Sequence, residues 1–320
     1  MRRTLILGTI LIAGAWGATG IAGEHQHGGH NVSISTSDEG PIQDCGQIRV
    51  HFDDSEAARA EQQLAAPVPS HPLVMRMPAG SGLYVTGTDR RDVSIRACKA
   101  ARLAEDLSRI SVSLGADGQV STSGPANGDW LVYLLVEAPR WTALDVEASN
   151  GPLSLRSLSG AVRARTSNGP LSLKELSGHV EARAKNGPIS VGNCSGELDA
   201  EATNGPISLR GGSGRLKLQT QNGPISVNLA GTRWDGAGLE AHAVNGPLSV
   251  RIPENYRSGT RIESAGHSPF NCRAPACAQA RRSWEDESKA VEFGDSQTVV
   301  RLSTVNGPVS IKGRDGESDE

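Results

Sequence analysis

Aromatic side chains are scarce, with three Phe, five Trp and three Tyr in 320 residues. So small a stock does not supply the aromatic-lined groove in which a polysaccharide chain is held for cleavage. An excess of basic charge is also missing: 32 Lys and Arg stand against 35 Asp and Glu, a formal net charge of -3, which gives no reason to expect nucleic-acid binding. After Leu5 to Trp16 no apolar run approaches the roughly twenty residues of a membrane-crossing helix, so no transmembrane segment is expected in the mature chain. No G-x-S-x-G occurs to mark a nucleophile elbow, and the many serines fall at repeat positions instead.

The apolar run follows Arg2 and Arg3 and gives way to small residues around Gly20 and Ala22, the layout of a secretory signal peptide cleaved after Ala22. No cysteine closes that run to make a lipid anchor, because the first is Cys45. The expected destination is the periplasm, the cell surface or the medium. Loss of Arg2 and Arg3 takes the formal charge from -3 to -5. In an oxidising compartment the five cysteines should pair with one left over. Cys272 and Cys277, in FNCRAPAC, suit a local bridge; Cys45 and Cys98 flank the N-terminal segment as the second pair; Cys194 is the odd thiol.

Asn-Gly-Pro recurs at Asn150, Asn168, Asn186, Asn204, Asn222, Asn245 and Asn306, the first five copies spaced by 18 residues. Strict periodicity of this kind marks stacked units that bury their apolar faces only against one another. Each copy runs into an alternating strand such as Leu153-Ser154-Leu155 or Ile189-Ser190-Val191, with the serine outward. Six and four places before each Asn stand further apolar residues, Leu144 and Val146 through Val300 and Leu302, which mark a second strand facing the first. Three hexapeptides per coil are excluded, since six and twelve places beyond Leu153 lie Ser159 and Arg165. The expected fold is all-β, a parallel β-solenoid (β-helix) with two strands per coil of about 18 residues, stacked about 4.8 Å apart.

Asn-Gly-Pro itself reads as a corner: Asn tolerates left-handed backbone, Gly reaches turn geometries closed to other residues, and Pro is allowed at the first residue of a strand. Stacked asparagines can also form an amide ladder; the alternative is a ligand-binding stripe. Cys194 takes the place of Leu158 and Leu176 in neighbouring coils, where a thiol serves as a small hydrophobe. Outward positions of the second strand carry Arg163, Glu181, Asp199 and Lys217 in one column and His179, Glu197 and Arg215 in another, so neighbouring charges should neutralise that face.

Upstream, LYVTGTDRRDVSIRAC, RISVSLGADGQVSTSG and WLVYLLVEAP read as strands, while KAARLAEDLSRI has helical spacing and predicts a short helix at the solenoid's end. SEAARAEQQL suits either a helix or a strand, and GTRIESAGHS looks like a worn coil. The expected layout is a signal peptide over 1–22, a disulfide-linked N-terminal segment over 23–80, a β-solenoid over 81–313 with repeats from 142, a loop excursion over 268–292, and a disordered acidic tail over 314–320. Coils of the type in ASNGPLSL, TSNGPLSL and TNGPISL, behind a signal peptide and a cysteine-containing segment, resemble the bacterial putative-adhesin domain family over about residues 80 to 313. That resemblance implies an exported β-solenoid and transfers no catalytic residue.

Parallel β-helices also include polysaccharide lyases and glycosidases, which need two carboxyls across a cleft or a metal held by acids. The available pairs, Asp53 with Asp54 and Asp199 with Glu201, come from a loop and from a ladder of charges. The expectation is therefore a non-enzymatic surface or envelope module without a cofactor, whose partner is an envelope protein or glycan; the alternative is a polysaccharide-active lyase or glycosidase. Ligand-binding candidates are Trp234 in the insertion TRWDGAG, standing either at an exposed tip or folded back on the solenoid flank, and Trp284 near Phe270 in the excursion. His25, His27 and His30 lie close enough to hold a metal, although a glycine-rich terminus lacks the frame for a complete site.

Overall fold

The computed structural model describes residues 23–27, 30–36, 42–53, 55–126, 128–265, 268–285, 287–294 and 297–314. The expected signal peptide and residues 315–320 of the acidic tail lie outside them.

The chain is all-β, and its strands build two long, largely parallel sheets. The strands after each Asn-Gly-Pro, from Leu153–Arg156 to Val309–Gly313, form one; the strands before it, from Leu144–Ala148 to Thr298–Asn306, form the other. Successive strands of one sheet pair in a register that steps by one repeat, Leu153 opposite Leu171 and Ser154 opposite Ser172, then Leu171 opposite Ile189 and Ser172 opposite Ser190. Period-two alternation then sorts the side chains. Leu155, Leu173, Ile189 and Leu209 are buried between the sheets, against the smaller Ala164, Ala182, Ala200 and Val162 of the facing sheet, and the serines stand outward. Cys194 is buried in this core as a free thiol.

The corners differ from their expected chemistry. None of the seven asparagines or glycines of Asn-Gly-Pro has left-handed backbone. Gly is required there because of what lies beneath it: a Cβ built on Gly169, Gly187, Gly205 or Gly223 would stand 2.0, 2.1, 2.2 or 2.3 Å from the carbonyl oxygen of the glycine one coil below. The left-handed turn sits at the other end of the strand, at Ser157, Glu175, Asn193 and Gly211, with φ of 56, 57, 49 and 63°. The asparagines form the amide ladder. Each Nδ2 donates to the Oδ1 of the preceding Asn, from Asn168 to Asn150 at 2.7 Å up to Asn306 to Asn245 at 2.9 Å, without a gap. Aligned amides polarise one another, so the chain of bonds is stronger than its members.

At both ends, order in space departs from order in sequence. Leu73–Arg76 and Gly82–Thr88 form a coil outside the Asn-Gly-Pro series, pairing Leu73 with Leu144 and Leu83 with Leu153. The two sheets thus take in residues well before 81, from Ala58 onward. Gln119–Ser123 and Trp130–Pro139 pair outside that coil, so the chain builds it, passes outward, and crosses back to Leu144. At the far end Thr298–Asn306 and Val309–Gly313 slot between the sixth repeat and an outer coil made earlier in sequence by Gly259–Ala265 and Phe270–Cys272.

Antiparallel strands finish the ends. Asp92–Ala101 and Ala58–Pro67 extend the serine-bearing sheet, so SEAARAEQQL contributes strand. Of the helix expected over KAARLAEDLSRI, only a 3-10 segment Ala104–Arg109 forms. Ala97 and Ala101 instead continue the period-two core face of Val93 and Ile95, and pairing on both strand edges outweighs their helix propensity. A small antiparallel sheet of Gly23–His27, His30–Thr36, Ile48–Phe52 and Ser55–Glu56 packs Val32, Ile34, Val50 and Phe52 on the outer face of the serine-bearing sheet, over Tyr84, Leu131 and Tyr133. The Cys45–Cys98 disulfide staples it there, and Cys272–Cys277 closes the C-terminal excursion.

The corner geometry predicts a sharp contrast between two glycines. Gly205→Ala places a methyl 2.2 Å from the Gly187 oxygen and should cost about 1–3 kcal/mol or more, as overpacking does. Gly192→Ala meets only the Lys174 side chain at 3.8 Å and should fall within about 0.5 kcal/mol of the parent. Denaturant midpoints measure both; equal midpoints would refute the account of the corner.

Candidate functional site

The two tryptophan candidates part company. Trp234 is buried, only 9 % exposed, with its indole N–H donating to the Gly214 carbonyl at 3.0 Å and its backbone N–H to Ser258 Oγ at 2.8 Å. The insertion TRWDGAG therefore folds back onto the core beside Tyr256 and Leu229, which decides against the exposed tip. A tryptophan that caps an open carbonyl while filling core volume is structural at this position.

Trp284 is 50 % exposed. It ends the strand Arg281–Trp284, all of whose residues are exposed, and meets Phe270 edge to face with ring centroids 5.3 Å apart and planes at 82°. Phe270 belongs to the strand Phe270–Cys272 at the edge of the other sheet, so the pair spans the mouth of the array where the Cys272–Cys277 bridge pins the loop. At the opposite end of the same strand Arg281 borders a cleft of about 690 Å³ together with Glu254, Arg257, Gln279 and Glu292. Glu292 accepts from Arg261 at 2.5 Å and lies 3.6 Å from Arg281. Hydrogen bonds to Glu263 and then Glu292 raise the Arg261 pKa further above its ordinary value. Tyr256 also lines this cleft, and burial pushes its phenol up to about 12. The cleft thus offers fixed charges of both signs, one strand length away from the exposed Trp284.

The carboxylate pairs are tied up. Arg183 holds Asp199 at 3.2 Å and Glu201 at 3.3 Å. Arg163 holds Glu181 at 3.1 Å, and its hydrogen bond keeps that carboxyl below the usual range. Asp53 lies in a left-handed turn and Asp54 is outside the described residues. The Asn column has each amide engaged in the ladder, so its polar atoms are committed to the corner. His25 and His27 fall in the strand Gly23–His27 and His30 opens the strand His30–Thr36, with His27 opposite His30; their side chains lie outside the described residues. Among the described residues no group of three or more His, Cys, Asp or Glu is placed to hold a metal ion.

Two features escaped the sequence reading. The outer-face aromatics Tyr84 and Tyr133 are the seat of the N-terminal sheet. The last outward residue of the serine-bearing strands is repeatedly basic, as Arg156, Lys174, Arg210, Arg251 and Lys312, a pattern legible by counting six places past each Asn.

No family model matches the sequence, and no curated protein matches it. Three solved structures are similar over most of the chain. A putative cell adhesion protein from Clostridium sporogenes is 11 % identical, over 80 % of this chain and 100 % of that one, with a TM-score of 0.24. A putative lipid binding protein from Parabacteroides distasonis is 9 % identical, over 80 % and 97 % of the two chains, with a TM-score of 0.44. A putative adhesin from Bacteroides fragilis is 12 % identical, over 80 % and 97 %, with a TM-score of 0.31. At such identities and scores the likeness carries nothing about what this chain binds.

Trp234→Ala should lower the unfolding free energy by about 3–5 kcal/mol; an unchanged denaturant midpoint would return Trp234 to the surface. Burial pushes the Cys194 thiol up to about 11 from 9.0. The folded state therefore retains this proton when the unfolded state releases it, and ionisation favours unfolding as pH rises above about 9. Thiol titration near neutral pH should find nothing reactive in the native, unreduced protein and the single thiol of Cys194 once it is unfolded. A second thiol would contradict the disulfide pairing.

Proposed function

We propose that the chain is an exported β-solenoid that acts without catalysis as an adhesin-like binding module of the cell surface or envelope, gripping a glycan or envelope protein at its cysteine-closed end. The observation that carries this reading is the exposed Trp284, braced by Phe270 on a loop pinned by a disulfide. A rigid aromatic loses little freedom on binding, which is why such residues dominate recognition surfaces. The continuous step of register from strand to strand supports the solenoid reading. Two disulfides fit an oxidising compartment, and no helix among the described residues is long and apolar enough to cross a membrane. The arginine-bound state of Asp199, Glu201 and Glu292 favours binding over hydrolysis, since a general acid and base must both reach the substrate.

A panel of neutral and acidic glycans and of envelope extracts tests the reading, with binding and product release followed together. The parent protein should retain at least one partner, and Trp284→Ala should weaken it by about 1–2 kcal/mol or more without altering the denaturant midpoint. Reducing ends or unsaturated sugars appearing in the incubation would establish the polysaccharide-active alternative.

A further inference from the structure

The serine-bearing face has a property unrelated to the C-terminal cleft. Seven parallel strands present Ser154, Ser172, Ser190, Ser208, Ser226, Ser249 and Ser310 in register as one outward row. Two residues on, also outward and in register, stand Arg156, Lys174, Gly192, Arg210, Asn228, Arg251 and Lys312. No outward position of these seven strands is acidic. The opposite sheet behaves differently: its column Asp145, Arg163, Glu181, Asp199 and Lys217 mixes both signs, and Asp145, Arg163, Glu181 and Asp199 are each closed into an ion pair. In a chain of net charge -3, a face carrying only cations is a segregation that composition does not explain.

Part of this face is uncommitted. The flanking Glu175 is held by Arg156 at 3.0 Å and by Ser157, whose hydroxyl above all keeps its carboxyl below the usual range. No carboxylate among the described residues comes within ion-pair distance of Lys174, Arg251 or Lys312, all three exposed. In the serine row, Ser208 donates to Ser190 at 3.3 Å, while Ser172, Ser226, Ser249 and Ser310 are half-buried hydroxyls with no hydrogen-bond partner among the described residues. The N-terminal sheet covers only the Tyr84 end. Strand spacing makes both rows repeat every about 4.8 Å over a length of about 30 Å.

We propose that this face is a track for an extended acidic polysaccharide of the polyuronate type, lying along the stacking axis with carboxylates on the basic row and sugar hydroxyls on the serine row. The line of charges selects a polymer over a single anion, because no two cations converge on one point. Hydroxyls at a fixed repeat complement a chain whose every unit carries hydroxyls. A single-stranded nucleic acid lacks its stacking partners here, since no aromatic stands in either row of the seven strands. A lipid surface lacks an apolar side chain to take up.

Titration calorimetry with polygalacturonate oligomers, at low and moderate salt, tests the assignment. The protein should bind with an affinity that falls as salt rises, because exposed charges are screened within about 10 Å at 0.1 M. Lys174→Gln/Arg251→Gln/Lys312→Gln should weaken binding at least about tenfold. Arg163→Gln/Arg215→Gln/Lys217→Gln, an equal loss of charge on the opposite sheet, should leave it within about twofold, and Trp284→Ala should not change it. Circular dichroism confirms that the variants fold, and Lys174→Gln alone should still give a measurable loss if the triple variant does not. Absence of binding at low salt, equal losses in the two triple variants, or tighter capture of DNA or of phosphatidylglycerol vesicles would each overturn the proposal. Failure of the Trp284 reading would leave it untouched.

Discussion

Every Asn-Gly-Pro repeat of this protein sits on the backbone of the segment below at a point where no side chain fits. The Cα of each corner glycine lies over a carbonyl so closely that a Cβ would come within 2.0 to 2.3 Å of oxygen through the middle of the array. That contact locks the vertical register, and the register then dictates the rest. It stacks Asn on Asn so that the amides form one continuous ladder. It stacks leucine on leucine and alanine on alanine in the two facing sheets, and it lines up serines and cations outside. A slip by a single residue would turn every strand's apolar side to water.

A stack of this kind is weakest at its ends, where each sheet stops in unpaired backbone. Both ends meet the problem with a crossed chain path. The outermost parallel coil is never the first or last stretch of sequence to be laid down, so it is tethered on both sides by chain that returns deeper into the array. Antiparallel strands and a stapled sheet finish the N-terminal end, and the cysteine-closed excursion finishes the other. The candidate binding end is thus a by-product of capping: the same excursion that pairs with the last coil lifts Trp284 to the surface.

The two broad faces obey one geometry with opposite electrostatic outcomes. Where acids and bases alternate along a column, neighbouring strands neutralise each other and the column contributes modestly to stacking. Where only bases recur, repulsion along the row is tolerated because the side chains are exposed and water screens them.

The sequence alone determined the strands before and after each Asn-Gly-Pro, their register, the inward leucines, both disulfides and the burial of Cys194. Where periodicity failed, local pattern misled. KAARLAEDLSRI has helical spacing, yet strand partners on both sides of Asp92–Ala101 claim its Lys99, Ala100 and Ala101. Trp234 sits in an insertion that the sequence leaves open between an exposed tip and a fold back on the flank, and the carbonyl of Gly214 and the hydroxyl of Ser258, 20 and 24 residues away, decide for the second. The coil of Leu73–Arg76 and Gly82–Thr88 has no Asn-Gly-Pro, and its place next to Leu144 depends on a crossing of the chain path. The corner glycine was legible as a corner, but the reason for it was not: backbone torsion is a property of one residue, whereas the excluded Cβ is a property of two coils brought together. What only the tertiary structure decided, in each case, is a contact between segments that no repeat relates.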